Sequence, residues 1–104
     1  MKITPEDIRH FTAGHPLAFI YFKGDQCSIC RQLGPEIAAF AKKHKIPLLE
    51  VDMPSNTELA ASEMVLSVPV IKLYFEGKEF FKEGAYFRFS ELEKLLEKIK
   101  TLSS

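Results

Sequence analysis

The sequence predicts an α/β fold in which a central mixed sheet of about four strands lies between helices on both faces. The first observation is the apolar run at residues 17–22, which is typical of a central strand buried on both sides. The second is the helical spacing of apolar residues after it, because a strand–helix–strand unit closes as a right-handed parallel crossover. The third is a pair of strand-like runs around Gly77, which predicts an antiparallel hairpin.

The first predicted helix begins after Thr4. Thr4 serves as the N-cap, Pro5 takes the first helical position, and Asp7 supplies the acidic residue of a capping box. Residues 14–16, Gly-His-Pro, end this helix. The first strand follows at residues 17–23, and no clear strand precedes the helix.

A second helix covers about residues 27–44, since Leu and Ile side chains recur there at helical spacing. Pro35 lies inside it, removes one backbone hydrogen bond and predicts a kink. A second strand follows at residues 48–51. The pattern at residues 55–58, Ser-Asn-Thr-Glu, predicts a capping box for a short third helix.

The C-terminal part predicts a hairpin and a last helix. Strands at residues 70–75 and 79–82 are joined by the turn at 76–78, and Gly84 ends the second of them. The pattern at residues 90–93, Ser-Glu-Leu-Glu, predicts another capping box. The apolar face of the helix that follows consists of Leu92, Leu95, Leu96 and Ile99.

The whole chain is the length of one domain, and we expect residues 1–104 to form a single monomeric unit. Fourteen basic residues balance fourteen acidic ones, so net charge recruits neither nucleic acid nor an anionic membrane. No segment approaches the ~18 apolar residues of a membrane span. The N-terminus turns acidic at once and resembles no signal peptide, which predicts a cytoplasmic protein.

The chemistry of the chain centres on its two cysteines, Cys27 and Cys30, which stand at a C-x-x-C spacing between the buried strand and the second helix. Residues three apart on a helix are neighbours, so the two side chains can meet. Cys27 falls at the helix N-terminus, where free N–H groups and the helix dipole stabilise a thiolate. Lys23 and Arg31 add positive charge, and Asp25 opposes them. This pattern predicts an attacking thiol, Cys27, and a resolving thiol, Cys30.

Two other interpretations of the cysteines compete with this one. A structural disulfide across four residues removes little chain entropy and stabilises weakly. A zinc site needs further ligands, yet there is no second cysteine pair, and the histidines are scattered without ligand spacing. A redox-active pair is favoured, and no metal ligand is expected.

Over nearly its whole length the chain resembles a thioredoxin. The resemblance is carried by residues 21–30, Tyr-Phe-Lys-Gly-Asp-Gln-Cys-Ser-Ile-Cys, by Pro35 within the following helix, and by Val68-Pro69 before a strand. It implies a thioredoxin fold and a thiol–disulfide oxidoreductase, a protein-disulfide reductase that contributes to cell redox homeostasis. The only redox group would be the Cys27–Cys30 disulfide, without a bound cofactor. Disulfide-containing proteins would be the substrates, and a thioredoxin reductase or another thiol donor would supply the electrons.

The resemblance also implies a substrate-binding surface. Ile29, Val68, Pro69 and Ala85 would form an apolar docking area beside the cysteines. A cis Val68-Pro69 bond would turn the chain sharply there and leave the Val68 backbone free to pair with an extended peptide. The alternative is an ordinary trans proline at the start of an edge strand.

Several residues depart from the thioredoxin pattern. Gln26 replaces the usual tryptophan, Ser28-Ile29 replaces Gly-Pro, and Tyr21 stands where the family has a buried acid that assists proton transfer. A neutral phenol with a pKa of ~10 is a poor base. Tyr21, Lys23 and Gln26 are therefore candidate modulators of the rate.

Two further charged residues, Glu50 and Lys72, lie within apolar strands. They either replace the missing acid pair or extend outward to solvent, and the second interpretation is favoured. At position 29, isoleucine in place of proline frees a backbone N–H that would donate to Cys27. From this we predict a less reducing couple than in a typical thioredoxin.

Two rival functions are retained. One is a thioredoxin-fold binding or accessory module with weak or vestigial redox activity, supported by Tyr21 and Gln26. The other is a glutathione-dependent glutaredoxin, which is weakened because Gly84-Ala85-Tyr86 lacks the paired glycines and acid of that family.

Overall fold

The structure is a computed structural model that describes residues 2–25 and 27–103. In these described residues, four helices and four strands follow one another in the order α-β-α-β-α-β-β-α, with one additional 3₁₀ turn after β2. The elements are α1 Pro5–Ala13, β1 Leu17–Lys23, α2 Ser28–Lys43, β2 Leu48–Asp52, the 3₁₀ turn Met53–Ser55, α3 Thr57–Ser62, β3 Val70–Phe75, β4 Lys78–Glu83 and α4 Phe89–Ser103.

The four strands form one mixed sheet in the order β2-β1-β3-β4. β1 pairs parallel with β2 and antiparallel with β3, and β3 pairs antiparallel with β4. The predicted mixed sheet of four strands, with its central strand at residues 17–23, is therefore confirmed. Within the described residues, no strand precedes α1.

Each face of the sheet carries its own apolar core. Phe19 and Tyr21 of β1 face α2 and α4, whereas Ile20 and Phe22 face α1 and α3. All four side chains are fully buried. This explains why β1 is apolar at every position from 17 to 22 and does not alternate with polar residues.

A two-residue turn joins β3 to β4. Glu76 and Gly77 have φ values of 50° and 81°, and positive φ at both central positions is typical of a type I′ hairpin turn. The predicted hairpin is thus confirmed. β4 is an edge strand whose residues are mostly exposed, and a register shift interrupts its pairing with β3 opposite Leu73 and Tyr74.

Of the three predicted capping boxes, the one at Thr4 is confirmed in both of its hydrogen bonds. The predictions at residues 55–58 and 90–93 are wrong. α3 begins at Thr57, and the side chain of Asn56 before it makes no capping bond. That side chain instead accepts from the Ile3 N–H at 2.6 Å and donates to the Asp52 carbonyl at 2.9 Å. It therefore fastens the N-terminal segment to the end of β2.

The second wrong capping box concerns α4. This helix begins at Phe89, so Ser90 already lies inside it. The backbone N–H groups of Glu91 and Leu92 donate to the Arg88 carbonyl, so the helix begins two residues earlier than predicted.

Lys72 departs most clearly from expectation, because its side chain does not reach solvent. Only 3% of it is exposed, and its Nζ lies 2.7 Å from Glu79 Oε1 and 3.2 Å from Glu63 Oε1. It also donates to the Glu63 carbonyl at 2.9 Å, while the Tyr74 hydroxyl donates to Glu63 Oε1. The outward orientation predicted for Lys72 is wrong because two carboxylates from separate elements surround the ammonium group.

None of the helices within residues 2–25 and 27–103 has the length and apolar content needed to cross a membrane.

Candidate active site

Cys27 and Cys30 form a disulfide at the start of α2, with their Cα atoms 5.2 Å apart. Cys27 is the N-cap residue, in extended conformation, and Cys30 lies in the first helical turn. Cys27 is half-buried, whereas Cys30 is only 6% exposed. The helix therefore presents one sulfur to the surface and holds the other behind it.

The backbone N–H of Cys30 donates to Cys27 Sγ at 3.1 Å. The sequence interpretation gave this role to the N–H of Ile29, and the structure assigns it to Cys30 instead. A proline at position 29 would leave this donor in place, so the less reducing couple predicted from Ile29 loses its basis. The donor and the helix N-terminus together favour a thiolate at Cys27.

The loop before β3 packs against the loop that leads to Cys27. The Val68-Pro69 peptide bond is cis, the isomer that the resemblance implies. A Cβ atom at Gly24 would lie 3.0 Å from Val68 Cγ2, so the absence of a side chain there lets the two loops pack together. Gly84 lies behind the proline, with its Cβ position 3.7 Å from the Pro69 carbonyl oxygen.

An open groove of about 670 Å³ runs past Cys27. Of the four predicted docking residues, Ile29 and Val68 line it, whereas Pro69 is buried and, like Ala85, lies outside the lining. The groove also has residues that sequence reasoning missed, namely Met53, Pro54 and Thr57. These three residues could have been found from their position after β2, because the carboxyl ends of the parallel strands β1 and β2 lie at the same edge of the sheet.

Tyr21 lies beneath the disulfide and is fully buried. Its hydroxyl donates to the Cys30 carbonyl at 3.2 Å. Burial raises the pKa of Tyr21, and the charge of Glu50 raises it further. Tyr21 therefore keeps its proton near neutrality and serves as a hydrogen-bond donor to α2.

Above about pH 10 the free energy of unfolding is expected to fall as pH rises. Tyrosines in the unfolded chain ionise there, whereas raised pKa values keep Tyr21 and Tyr74 protonated in the folded protein. The folded state then binds more protons, so each tyrosine contributes a slope of about −1.4 kcal/mol per pH unit until its folded pKa is reached. Urea unfolding of Tyr21→Phe across this range should show a slope shallower by that amount, and an unchanged slope would contradict the prediction.

Lys23 and Glu50 form an ion pair of 3.6 Å beside Tyr21, with side chains 40% and 46% exposed. Glu50 is thus partly exposed, as the favoured sequence interpretation expects, and this exposure does not remove it from the space beside Tyr21. Both residues line a cavity of about 350 Å³ that also reaches Cys30. The third candidate modulator, Gln26, lies outside the described residues.

In the described parts of the chain, His, Cys, Asp and Glu side chains form no group of three or more that could hold a metal ion.

Comparison with known proteins places this chain in a family. The sequence model of the family described as Thioredoxin matches residues 3–101. The chain belongs to the thioredoxin family. Family membership, together with the C-x-x-C pair, supports thiol–disulfide oxidoreductase chemistry in general.

Individual relatives are distant in sequence. A thioredoxin-like protein of Bacillus subtilis, YdfQ, is 28% identical over 96 residues, which cover 91% of this chain and 86% of that protein. The protein disulfide-isomerase EUG1 of Saccharomyces cerevisiae is 25% identical over 91 residues, covering 85% of this chain. The matched region is only 17% of that longer relative.

Solved structures agree with the fold. A mutant thioredoxin from Halobacterium salinarum superposes with a TM-score of 0.82 at 20% identity and covers 95% of this chain and 88% of its own. Thioredoxin 1 from Thermosipho africanus gives a TM-score of 0.75 at 28% identity, over 83% of this chain and 97% of its own. The predicted thioredoxin fold is confirmed.

Proposed function

We propose that this protein reduces disulfides in proteins or small molecules through a Cys27–Cys30 dithiol cycle. The observation that carries the proposal is the placement of one half-buried sulfur at a helix N-terminus with a buried sulfur one turn behind it. The Cys27 thiolate attacks a substrate disulfide and forms a mixed disulfide, and Cys30 then displaces the substrate thiol. The substrate gains two electrons, and the cysteine pair becomes oxidised.

Substrates would lie in the groove beside Cys27. The backbone of Val68, which lines the groove, would pair with an extended peptide, while Ile29 and Met53 would offer apolar contacts. Pro69 would contribute indirectly, because its cis peptide bond fixes the orientation of Val68. Ala85 would contribute only at the margin of the surface. In this proposal residues 1–104 act as one monomeric domain.

Electrons would come from a thioredoxin reductase or another thiol donor, with the disulfide as the only redox group. In the cytoplasm such a cycle would contribute to redox homeostasis. The YdfQ and EUG1 relatives are consistent with this chemistry, although EUG1 is a much longer protein.

Reduction of insulin by dithiothreitol tests the proposal, with light scattering from the precipitating chains as the readout. The wild-type protein is expected to shorten the lag, and Cys27→Ser to restore the uncatalysed rate. Equilibration of the pair with a glutathione series, read by thiol trapping and mass spectrometry, should show one reversible two-electron transition. A pair that stays reduced throughout would contradict the proposal.

A thioredoxin-fold binding module is the second candidate, and Tyr21 is the observation that favours it. The fully buried phenol keeps its proton and therefore offers no base for the dithiol cycle. For such a module, insulin reduction by the wild-type protein would equal that of Cys27→Ser.

A further inference from the structure

We propose that Glu50 accepts the proton that the Cys30 thiol loses when it resolves the mixed disulfide, with the transfer passing through water in the cavity behind the cysteines. This inference rests on the proposed function, because it concerns the second step of that cycle. It assigns the role of proton acceptor to Glu50 of β2, because Tyr21 of β1 is unable to perform it.

The step has a definite proton requirement. The sulfur of Cys30 forms a bond to Cys27 Sγ, and the bond between Cys27 Sγ and the substrate sulfur breaks. The substrate leaves as a thiolate, which takes a proton from solvent. The Cys30 thiol must give up its own proton as it attacks, because a thiolate is the nucleophile. Glu50 would receive that proton and later return it to water.

The two cysteines line different spaces in this structure. Cys27 lines the open groove, whereas Cys30 lines the cavity of about 350 Å³, and Gly24 and Asp25 lie between the two spaces because they line both. Glu50 lines the same cavity as Cys30 and is absent from the lining of the groove. Since one water occupies about 30 Å³ in the liquid, a cavity of this size admits a chain of waters between thiol and carboxylate.

Strand register brings Glu50 to this position. Glu50 is paired with Tyr21 across the parallel β1–β2 ladder, so both side chains emerge on the face that α2 covers. The Tyr21 hydroxyl is already committed as a donor to the Cys30 carbonyl. It is also protonated near neutrality, because burial and the charge of Glu50 both raise its pKa. The proton therefore needs a different acceptor within the same cavity.

Other charged groups line the cavity as well. Lys23 holds the Glu50 carboxylate at 3.6 Å, and Arg31 adds a second cation from α2. Asp25 and Asp52 are the other carboxylates in the lining. Glu50 is the one whose charge acts on Tyr21, directly beneath Cys30. Asp52 is the competing acceptor and is included in the test.

Stopped-flow reaction of the reduced protein with an equimolar nitrobenzoate disulfide separates the two steps. The released thiolate absorbs visible light, and the intramolecular second phase is independent of concentration. At neutral pH, Glu50→Gln is expected to slow this second phase about a hundredfold, at the lower end of the usual range for a general base, and to leave the first phase within about twofold. The difference should disappear at alkaline pH, where Cys30 ionises without help.

A matched control comes from a second exposed ion pair. Lys43 and Glu93 also lie 3.6 Å apart, with Glu93 43% exposed, but neither residue lines the cavity. Glu93→Gln should therefore leave both phases unchanged, and Glu50→Asp should restore part of the second-phase rate. A wild-type rate in Glu50→Gln, a slowing that persists at alkaline pH, or an equal slowing in Asp52→Asn alone would overturn the assignment.

A second measurement separates proton transfer from simple electrostatics. In a Cys27→Ser background, thiolate absorbance reports the ionisation of Cys30 alone. Removal of a nearby negative charge should let Cys30 ionise at lower pH in Glu50→Gln. A purely electrostatic role then predicts a faster second phase, whereas proton acceptance predicts a slower one. If the wild-type protein lacks the second phase altogether, the proposed function fails first and this inference with it.

Discussion

A Cys30→Ser chain mixed with a disulfide-containing polypeptide is expected to accumulate a stable mixed disulfide on Cys27. Multiple turnover should fall by roughly a thousandfold, because no second thiol remains to displace the substrate. The first step should stay within a few-fold of wild type. Its rate rests on the helix N-terminus and on the backbone N–H at position 30, which donates to Cys27 Sγ at 3.1 Å and survives the substitution.

Non-reducing mass spectrometry would identify the adduct, and stopped-flow kinetics would give the rate of its formation. Cys27→Ser is the matched control, since it retains the buried Cys30 thiol and should form no adduct at a comparable rate. An adduct that forms equally fast on Cys30 in that control would reverse the assigned roles of the two sulfurs.

The double substitution Glu63→Gln/Glu79→Gln is expected to lower the free energy of unfolding by about 3 kcal/mol. It leaves the Lys72 ammonium, 3% exposed, without either carboxylate partner. A buried cation that loses its counter-charges keeps its desolvation cost and loses the attraction that offset it. Guanidinium unfolding followed by circular dichroism would measure the change.

Two comparisons make this result diagnostic. Lys72→Met removes the cation but leaves carboxylates that are 21% and 40% exposed and so remain partly hydrated, and it should cost only about 1 kcal/mol. Glu93→Gln breaks an exposed pair and should cost less than about 1 kcal/mol. A double variant no less stable than Glu93→Gln would show that charge does not hold Lys72 in place.

Sequence reasoning performed best where the determinants are local. The bounds of β1 followed from six consecutive apolar residues, and the start of α1 from the spacing of Thr4, Pro5 and Asp7. The same local reasoning failed at residues 55–58 and 90–93. The true helix starts lie one residue after the predicted start for α3 and two residues before it for α4. The Asn56 side chain, moreover, bonds to a distant partner, the N–H of Ile3.

The environment of Lys72 shows a second limit of prediction from local sequence patterns. Its partners come from the end of α3 and from the edge strand β4, so burial depends on how three elements pack. Within its own strand, a single lysine among apolar residues looks the same whether it extends outward or is enclosed.

Some features of the candidate site were likewise predicted from the sequence, and others were not. The cysteine pair and its place at a helix start were predicted from spacing. The exposure of Glu50 was predicted from its charge within an otherwise apolar strand. The donor to Cys27 was assigned to the wrong residue, because the choice among N–H groups in one helical turn depends on their orientation. Met53 and Pro54 were missed because no motif marks them, and only the alignment of strand ends brings them beside Cys27.

The open side of β4 bears on how the chain behaves at high concentration. An unpaired strand edge is a template for aggregation with another sheet. Here the edge carries two lysines and two glutamates within six residues, and its ladder is interrupted by a register shift. Both features oppose edge-to-edge pairing of β4 with a strand of another molecule. The charges and the register shift would thereby keep strands of other molecules from extending this sheet at high concentration.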